Sequence, residues 1–219
     1  MGSVEELCEE VETVRGFCYL GNRVNAGGGC EAAVTARARI GWVKFRECGE
    51  MLNSKRFSLK LKGMVYQSCV RSAMLYGSET RCLRENKMAI LRRTEGAMVR
   101  AMCGAKLMEK KRTEDLMEIL GLKETAVQMA KANGVRWYGH VLRRDDAHVL
   151  RKVLEFEGRG KRKCGRPKKT WKTQVEKESK SVDTMNRVRW RVEVREIAAR
   201  VNPATPFMGI NPDQNWIDT

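Results

Sequence analysis

Histidine is nearly absent from this chain, with two in 219 residues, and proline is scarce, with four. His140 and His148 have no cysteine at ligand spacing and no Cys-x-x-Cys pair occurs, so neither a zinc site nor any other metal site is expected. A Cys/His nucleophile would also need an orienting group and an oxyanion hole; no catalytic residue and no cofactor are expected. Pro203, Pro206 and Pro212 all fall near the end, which marks 202–219 as an irregular tail and leaves residues 1–166 open to helix. No run of about 18 apolar residues occurs. The first residues are acidic rather than basic-then-apolar, and Glu6 breaks a myristoylation pattern at Gly2. A membrane partner is therefore not expected, and the reading is a nuclear or cytoplasmic chain. The eight cysteines are scattered through helical patterns, which reads as reduced, mostly buried thiols rather than a disulfide framework.

Positive charge is in excess: Lys and Arg number 43 against 27 acids, for a net charge of +16. A chain so charged suits a polyanion, and RNA or DNA is the expected partner. The densest block, Gly158 to Trp171, holds Arg159, Lys161, Arg162, Lys163, Arg166, Lys168 and Lys169 and no acid. Its glycines and Pro167 oppose regular helix, so it reads as an extended basic strap over 158–170. The Gly165-Arg166-Pro167 core resembles that of an AT-hook, in which Arg lies in a narrow minor groove. A solvated linker or nuclear-import signal is the plainer alternative.

Along the chain, 1–29 reads as an acidic segment followed by two short strands, from Phe17 onward, and the loop Gly27-Gly28-Gly29. Periodicity predicts a basic helix from Glu31 to about Leu52, buried through Ala33, Ala36, Ile40 and Val43. A second helix runs from Ser54 or Ser58 to Tyr76 with Leu61, Val65, Cys69 or Val70, and Ala73 inward, ended by Gly77. A third spans Glu85 to Cys103 with the stripe Met88, Leu91, Glu95, Met98, Val99 and Met102, stopped by Gly104. Further helices are predicted from Thr113 to Leu120, from Lys123 to Arg144 with Val127, Ala130 and Trp137 inward, from Lys168 to Lys180, and from Asp183 to Val201 with Met185, Val188, Val192 and Ile197 inward. Val149 to Phe156 is open between helix and strand. His140, between Gly139 and Val141, reads as a hydrogen-bonded packing residue at a helix bend.

Five stretches, in this order, carry a resemblance: Phe17-x-Tyr19-Leu20-Gly21, Tyr76-Gly77-Ser78-Glu79, Arg136-Trp137-Tyr138-Gly139-His140-Val141-Leu142-Arg143, Gly165-Arg166-Pro167-Lys168-Lys169-x-Trp171, and Trp190-Arg191. Over about residues 15–195 the chain resembles the C-terminal part of the reverse transcriptase of non-LTR (LINE-type) retrotransposons. The resemblance implies that Phe17 to Gly21 is a remnant of the hairpin closing the polymerase palm, and that the next three helices match the thumb against the template–primer duplex. Arg81 stands where the family usually has Trp. The palm's Tyr-x-Asp-Asp turn, needed to hold two metal ions, has no counterpart, and Asp145-Asp146 after Arg143-Arg144 reads as a solvated helix end. The expectation is thus a non-catalytic fragment or degenerate copy lacking its palm.

The expected architecture is mostly α: a thumb-like bundle over 30–105, post-thumb helices over 106–157, the strap, and C-terminal helices over 171–201. The bundle's candidate phosphate contacts are Arg37, Arg39, Lys44, Lys60 and Lys62. Non-catalytic binding of a template–primer or RNA–DNA hybrid is the expected function. A helical protein-interaction or structural fragment is the alternative.

Overall fold

A computed structural model describes residues 14–19, 22–25, 31–156, 170–179 and 185–199, and they are mostly α-helical, as the periodicity implies. The acidic segment 1–13, Leu20 and Gly21, the loop glycines, the strap and the tail lie outside the described residues. Strands β1 (Gly16–Tyr19) and β2 (Asn22–Asn25) pair antiparallel with Phe17 opposite Val24. Every residue of β1 is exposed, including Phe17 and Tyr19 at 50% and 62%.

Helix α1 (Glu31–Glu47) turns at Cys48 into the short α2 (Gly49–Leu52). Its buried positions are Ala33, Val34, Arg37, Ala38, Gly41 and Phe45, so the stripe predicted through Ala36, Ile40 and Val43 is rotated by about one residue and Val43 faces outward. Gly41 explains the rotation, since a Cβ there would lie 3.2 Å from Met74 Cβ and the bare backbone lets the two helices close.

The second predicted helix is continuous but not uniform. Ser58 caps α3 (Leu59–Val65) by accepting from the Leu61 amide. The chain then widens into a π-helical stretch, Tyr66–Arg71, before α4 (Ser72–Leu75). A wide turn inserts an extra residue and shifts everything after it, which is why Tyr66, Val70, Arg71 and Met74 are buried while the predicted Cys69 is exposed. Ser68 and Ser72 bond back to the carbonyls of Met64 and Cys69 at 3.0 and 3.1 Å, serving acceptors that the widened turn disturbs.

Helix α5 (Glu85–Cys103) follows its prediction closely: Met88, Leu91, Glu95, Met98, Val99 and Met102 are all buried. Gly77, Gly104 and Gly121 take left-handed angles just past the ends of α4, α5 and α6 (Thr113–Ile119), which a side chain would strain. Thr125 and Gln128 form a capping box that starts α7 (Ala126–Leu142). The open stretch after His148 is helical, α8 (Val149–Glu155). Helices α9 (Trp171–Ser179) and α10 (Arg187–Ala199) complete the described chain. The inward face of α10 is Trp190, Val194, Ile197 and Ala198; Met185 before it and Val188 and Val192 within it are exposed, contrary to the predicted stripe. Trp190 decides that register by seating its indole over Gly139, where a Cβ would lie 2.2 Å from Nε1.

Three apolar clusters hold these helices. One gathers Phe45, Tyr66, Met98, Val99 and Met102 with Leu116 and Leu120 of the α6 segment. A second joins Val34, Met74 and Leu91 to Ala126, Val127 and Ala130 of α7. The third packs Val135 and Tyr138 against Val175, Trp190 and Val194. Helix α7 therefore belongs to two clusters at once and ties α9 and α10 to the bundle. The expectation of buried cysteines fails among the described residues: Cys18 and Cys69 are exposed and Cys48, Cys82 and Cys103 are half-buried, because each lies at a helix flank or end. No helix among the described residues is long and apolar enough to cross a membrane.

Candidate nucleic-acid interface

With its apolar side in the core, α1 turns Arg39, Lys44 and Arg46 outward, and Lys55, Arg56 and Lys60 continue the exposed basic surface through the following loop into α3. Residues two apart on a helix point about 200° from one another, so Arg37 and Arg39 cannot share a face, nor can Lys60 and Lys62. One member of each pair lies inside, and this removes Arg37 and Lys62 from the predicted set of phosphate contacts. Arg37 is buried with its guanidinium 4.4 Å from the Tyr76 ring, clamping α1 to the turn at Gly77. Lys62 is buried and donates from Nζ to the Met102 carbonyl at 3.1 Å, where a cation suits the C-terminal end of α5. Lys44 is exposed and paired with Glu47 at 2.7 Å; that hydrogen bond holds its ammonium above the ordinary lysine value.

The motif residues have structural work. Trp171 is half-buried and donates from Nε1 to the Glu79 carbonyl at 2.8 Å, so the Tyr76-Gly77-Ser78-Glu79 turn and α9 meet across α7. Arg81, at the family's Trp position, is buried and donates to the Tyr76 carbonyl from the other side of the same turn. Tyr138 is buried, edge-on to Trp171, and donates to Glu176 at 3.1 Å; burial and then Glu176 push its phenol up to about 12. Trp137 departs from its predicted core position. It is half-buried and stacked on His140, ring centroids 5.3 Å apart and planes 22° from parallel, with Arg144 Nη2 3.1 Å from His140 Nε2. His140 is thus hydrogen-bonded as expected, but within an unbroken α7 rather than at a bend.

Sequence reasoning did not see the most deeply buried polar contact. Arg71 donates to Glu95 Oε1 at 2.6 Å, with side-chain exposures of 1% and 3%. Tyr66 donates to the same oxygen at 3.4 Å, and Oε2 accepts the first amide of α7, from Ala126, at 2.7 Å. Burial works against the Arg71 charge, but Glu95 outweighs it and holds the guanidinium above its ordinary value. The signal was present: an acid in an otherwise apolar stripe requires a buried cation.

These surfaces can hold phosphate through exposed Lys and Arg and can offer an aromatic face, while no group of three or more His, Cys, Asp or Glu among the described residues is placed to bind a metal ion. The chain is similar to a transposon-derived protein. That relative, from Caenorhabditis elegans, is 25% identical over 174 residues, covering 77% of this chain and 62% of its own length. The chain thus spans less than two thirds of the relative it matches. No family model matches the chain, and no solved structure does. A transposon origin is the coarse statement this similarity supports.

Proposed function

We propose that the chain is a non-catalytic nucleic-acid-binding segment derived from the thumb and post-thumb region of a retrotransposon reverse transcriptase, and that it grips a template–primer or RNA–DNA hybrid by its backbone. The observation that carries this reading is the outward placement of Arg39, Arg46, Lys55, Arg56 and Lys60 on one continuous stretch, in a chain of net charge +16. Phosphate contacts of this kind position a duplex without reading its sequence. The basic strap between α8 and α9 adds seven cations to the same chain. The ordered family motifs and the transposon-derived relative support the origin. A second reading, docking of a protein partner, draws on exposed Phe17 and Tyr19 in the hairpin, whose edge is open to another strand.

The two readings separate on salt. Replacing Arg162, Arg166, Lys168 and Lys169 together with Ala is expected to weaken hybrid binding and to flatten the plot of log affinity against log salt by about one unit per lost phosphate contact. An unchanged slope assigns the strap to a linker or import signal. Lack of any affinity for nucleic acid overturns the function.

A further inference from the structure

Helix α7 carries no acidic residue along its length. One arc of its surface, taken at 100° per residue, presents Met129, Asn133, Arg136, His140, Arg143 and Arg144 in turn, with Trp137 at its margin. Arg136 and Arg144 are exposed. Arg136 is aimed along the arc by its 2.7 Å bond to Asn133 Oδ1, and Asn133 is itself fixed by donating to Ser78 Oγ at 3.2 Å. Burial and then the neighbouring Arg187 cation disfavour the charge of Arg143, so this end of α7 gathers positive charge from two helices. Beside it stands the Trp137–His140 stack with Arg144 against the imidazole. The nearest acids by sequence are Asp145 and Asp146, and Asp146 is bonded to Arg151 at 2.9 Å.

The other end of the arc opens into a groove of about 590 Å³ between α7 and the π-helical stretch, bordered by Met64, Gln67, Ser68 and Ser72 on one side and Met129 and Asn133 on the other. Groove and arc share Asn133, so they form one path rather than two sites. From Met129 to Arg144 the path runs about 22 Å, at about 1.5 Å per residue. This is a span for several nucleotides, and too narrow and one-sided for a duplex gripped across both strands.

We infer that this stripe of α7 is a single-strand site, distinct from the duplex-facing bundle surface: an unpaired nucleic-acid strand stacks a base on the Trp137–His140 pair while Arg136 and Arg144 hold its phosphates, and it continues over Asn133 into the groove. Stacked aromatics interleaved with arginines are what a single strand requires, because each base has a π face and each linkage a charge, whereas a duplex hides its bases. The inference rests on the nucleic-acid reading above and deepens it: the same chain would hold paired and unpaired strands on different surfaces, as a junction of template and primer presents them.

The test uses the full chain and two labelled probes, an oligothymidylate of about 12 nucleotides and a random-sequence duplex of the same length. Trp137→Ala is expected to weaken oligothymidylate binding by about tenfold, and Trp137→Phe, which keeps a π face, to stay within about threefold of wild type. Duplex affinity should change less than about twofold in both. Arg136→Ala with Arg144→Ala, both at exposed positions, should lower the single-strand salt slope by about 1.4 units, at about 0.7 per contact. Single-strand affinity indifferent to Trp137→Ala, or wild-type chain that binds only the duplex, overturns this inference and leaves the duplex reading standing. A parallel loss of both probes in the Ala and Phe variants makes Trp137 a packing residue and overturns it too. Absence of binding to either probe overturns both proposals.

Discussion

Arg71→Met should be among the most damaging substitutions in the chain. The guanidinium and Glu95 are 2.6 Å apart and almost wholly removed from solvent, and Glu95 also accepts from Tyr66 and the first amide of α7. Burial, then Glu95, pushes the Tyr66 phenol far above its ordinary value, so Tyr66 serves as a neutral donor. Removing Arg71 leaves a buried carboxylate with a long hydroxyl bond and one amide, and breaking one side of such a pair costs about 3–5 kcal/mol. At a urea dependence of about 3 kcal/mol per molar, a loss of about 4 kcal/mol moves the unfolding midpoint down by about 1.3 M. Glu95→Gln keeps an oxygen for the Ala126 amide but strands the guanidinium, and should cost a similar amount. The double variant removes both charges, so it should be more stable than either single one, with a favourable coupling of about 2 kcal/mol or more in the cycle. Urea melts followed by far-ultraviolet circular dichroism measure all three. Single variants within about 0.5 kcal/mol of wild type, or a double variant no better than the sum of the singles, would refute the claim that this pair joins the π-helical stretch, α5 and α7.

Gly63→Ala should be costly despite the better helix propensity of Ala, because its Cβ would lie 1.9 Å from the Leu120 carbonyl oxygen, a backbone atom that cannot swing away. A loss of about 1–3 kcal/mol or more is expected in the same melts, and a gain would show that α3 and α6 do not touch. Tyr138 supplies a pH dependence. Its folded value near 12 exceeds the ordinary value of 10.0, so its contribution is complete below about pH 10 and is lost as pH rises toward 12. Tyr138→Phe should flatten the stability profile in that window, and an unaltered profile would contradict the buried contact with Glu176.

Much of the fold could be read from periodicity and glycine. The α5 stripe and the helix stops at Gly77, Gly104 and Gly121 were legible because each depends on local rules: a 3.6-residue repeat, or a backbone angle that suits glycine. Registers failed where a neighbour overrode the pattern. Gly41 lets α1 turn toward Met74, and Gly139 draws in Trp190 so that Val188 and Val192 face outward. In both cases a long-range contact with a side-chain-free backbone outweighs a modest apolar moment, and no sequence window contains that contact. The π-helical stretch was illegible for a related reason, since its extra residue is stabilised by Glu95, 24 positions beyond Arg71. Of the candidate interface, the basic strap and exposed Arg39, Lys44 and Lys60 come straight from composition, while the inward turn of Arg37 and Lys62 follows from helix geometry that the count of charges ignores. The Trp137–His140 stack is an i, i+3 pair on an acid-free helix, a pattern visible in the sequence once α7 is known to be continuous.

The central claim is that this chain holds nucleic acid by its backbone, and the most direct measurement is the affinity of the full chain for a labelled RNA–DNA hybrid, by fluorescence anisotropy, across a salt series from about 50 to 200 mM. The account expects log affinity to fall linearly with log salt, with a slope near 0.9 per phosphate contact and a total of about four to eight units, and with part of that slope lost when Arg162, Arg166, Lys168 and Lys169 become Ala. Affinity that is absent, or that stays level across the series, would contradict it.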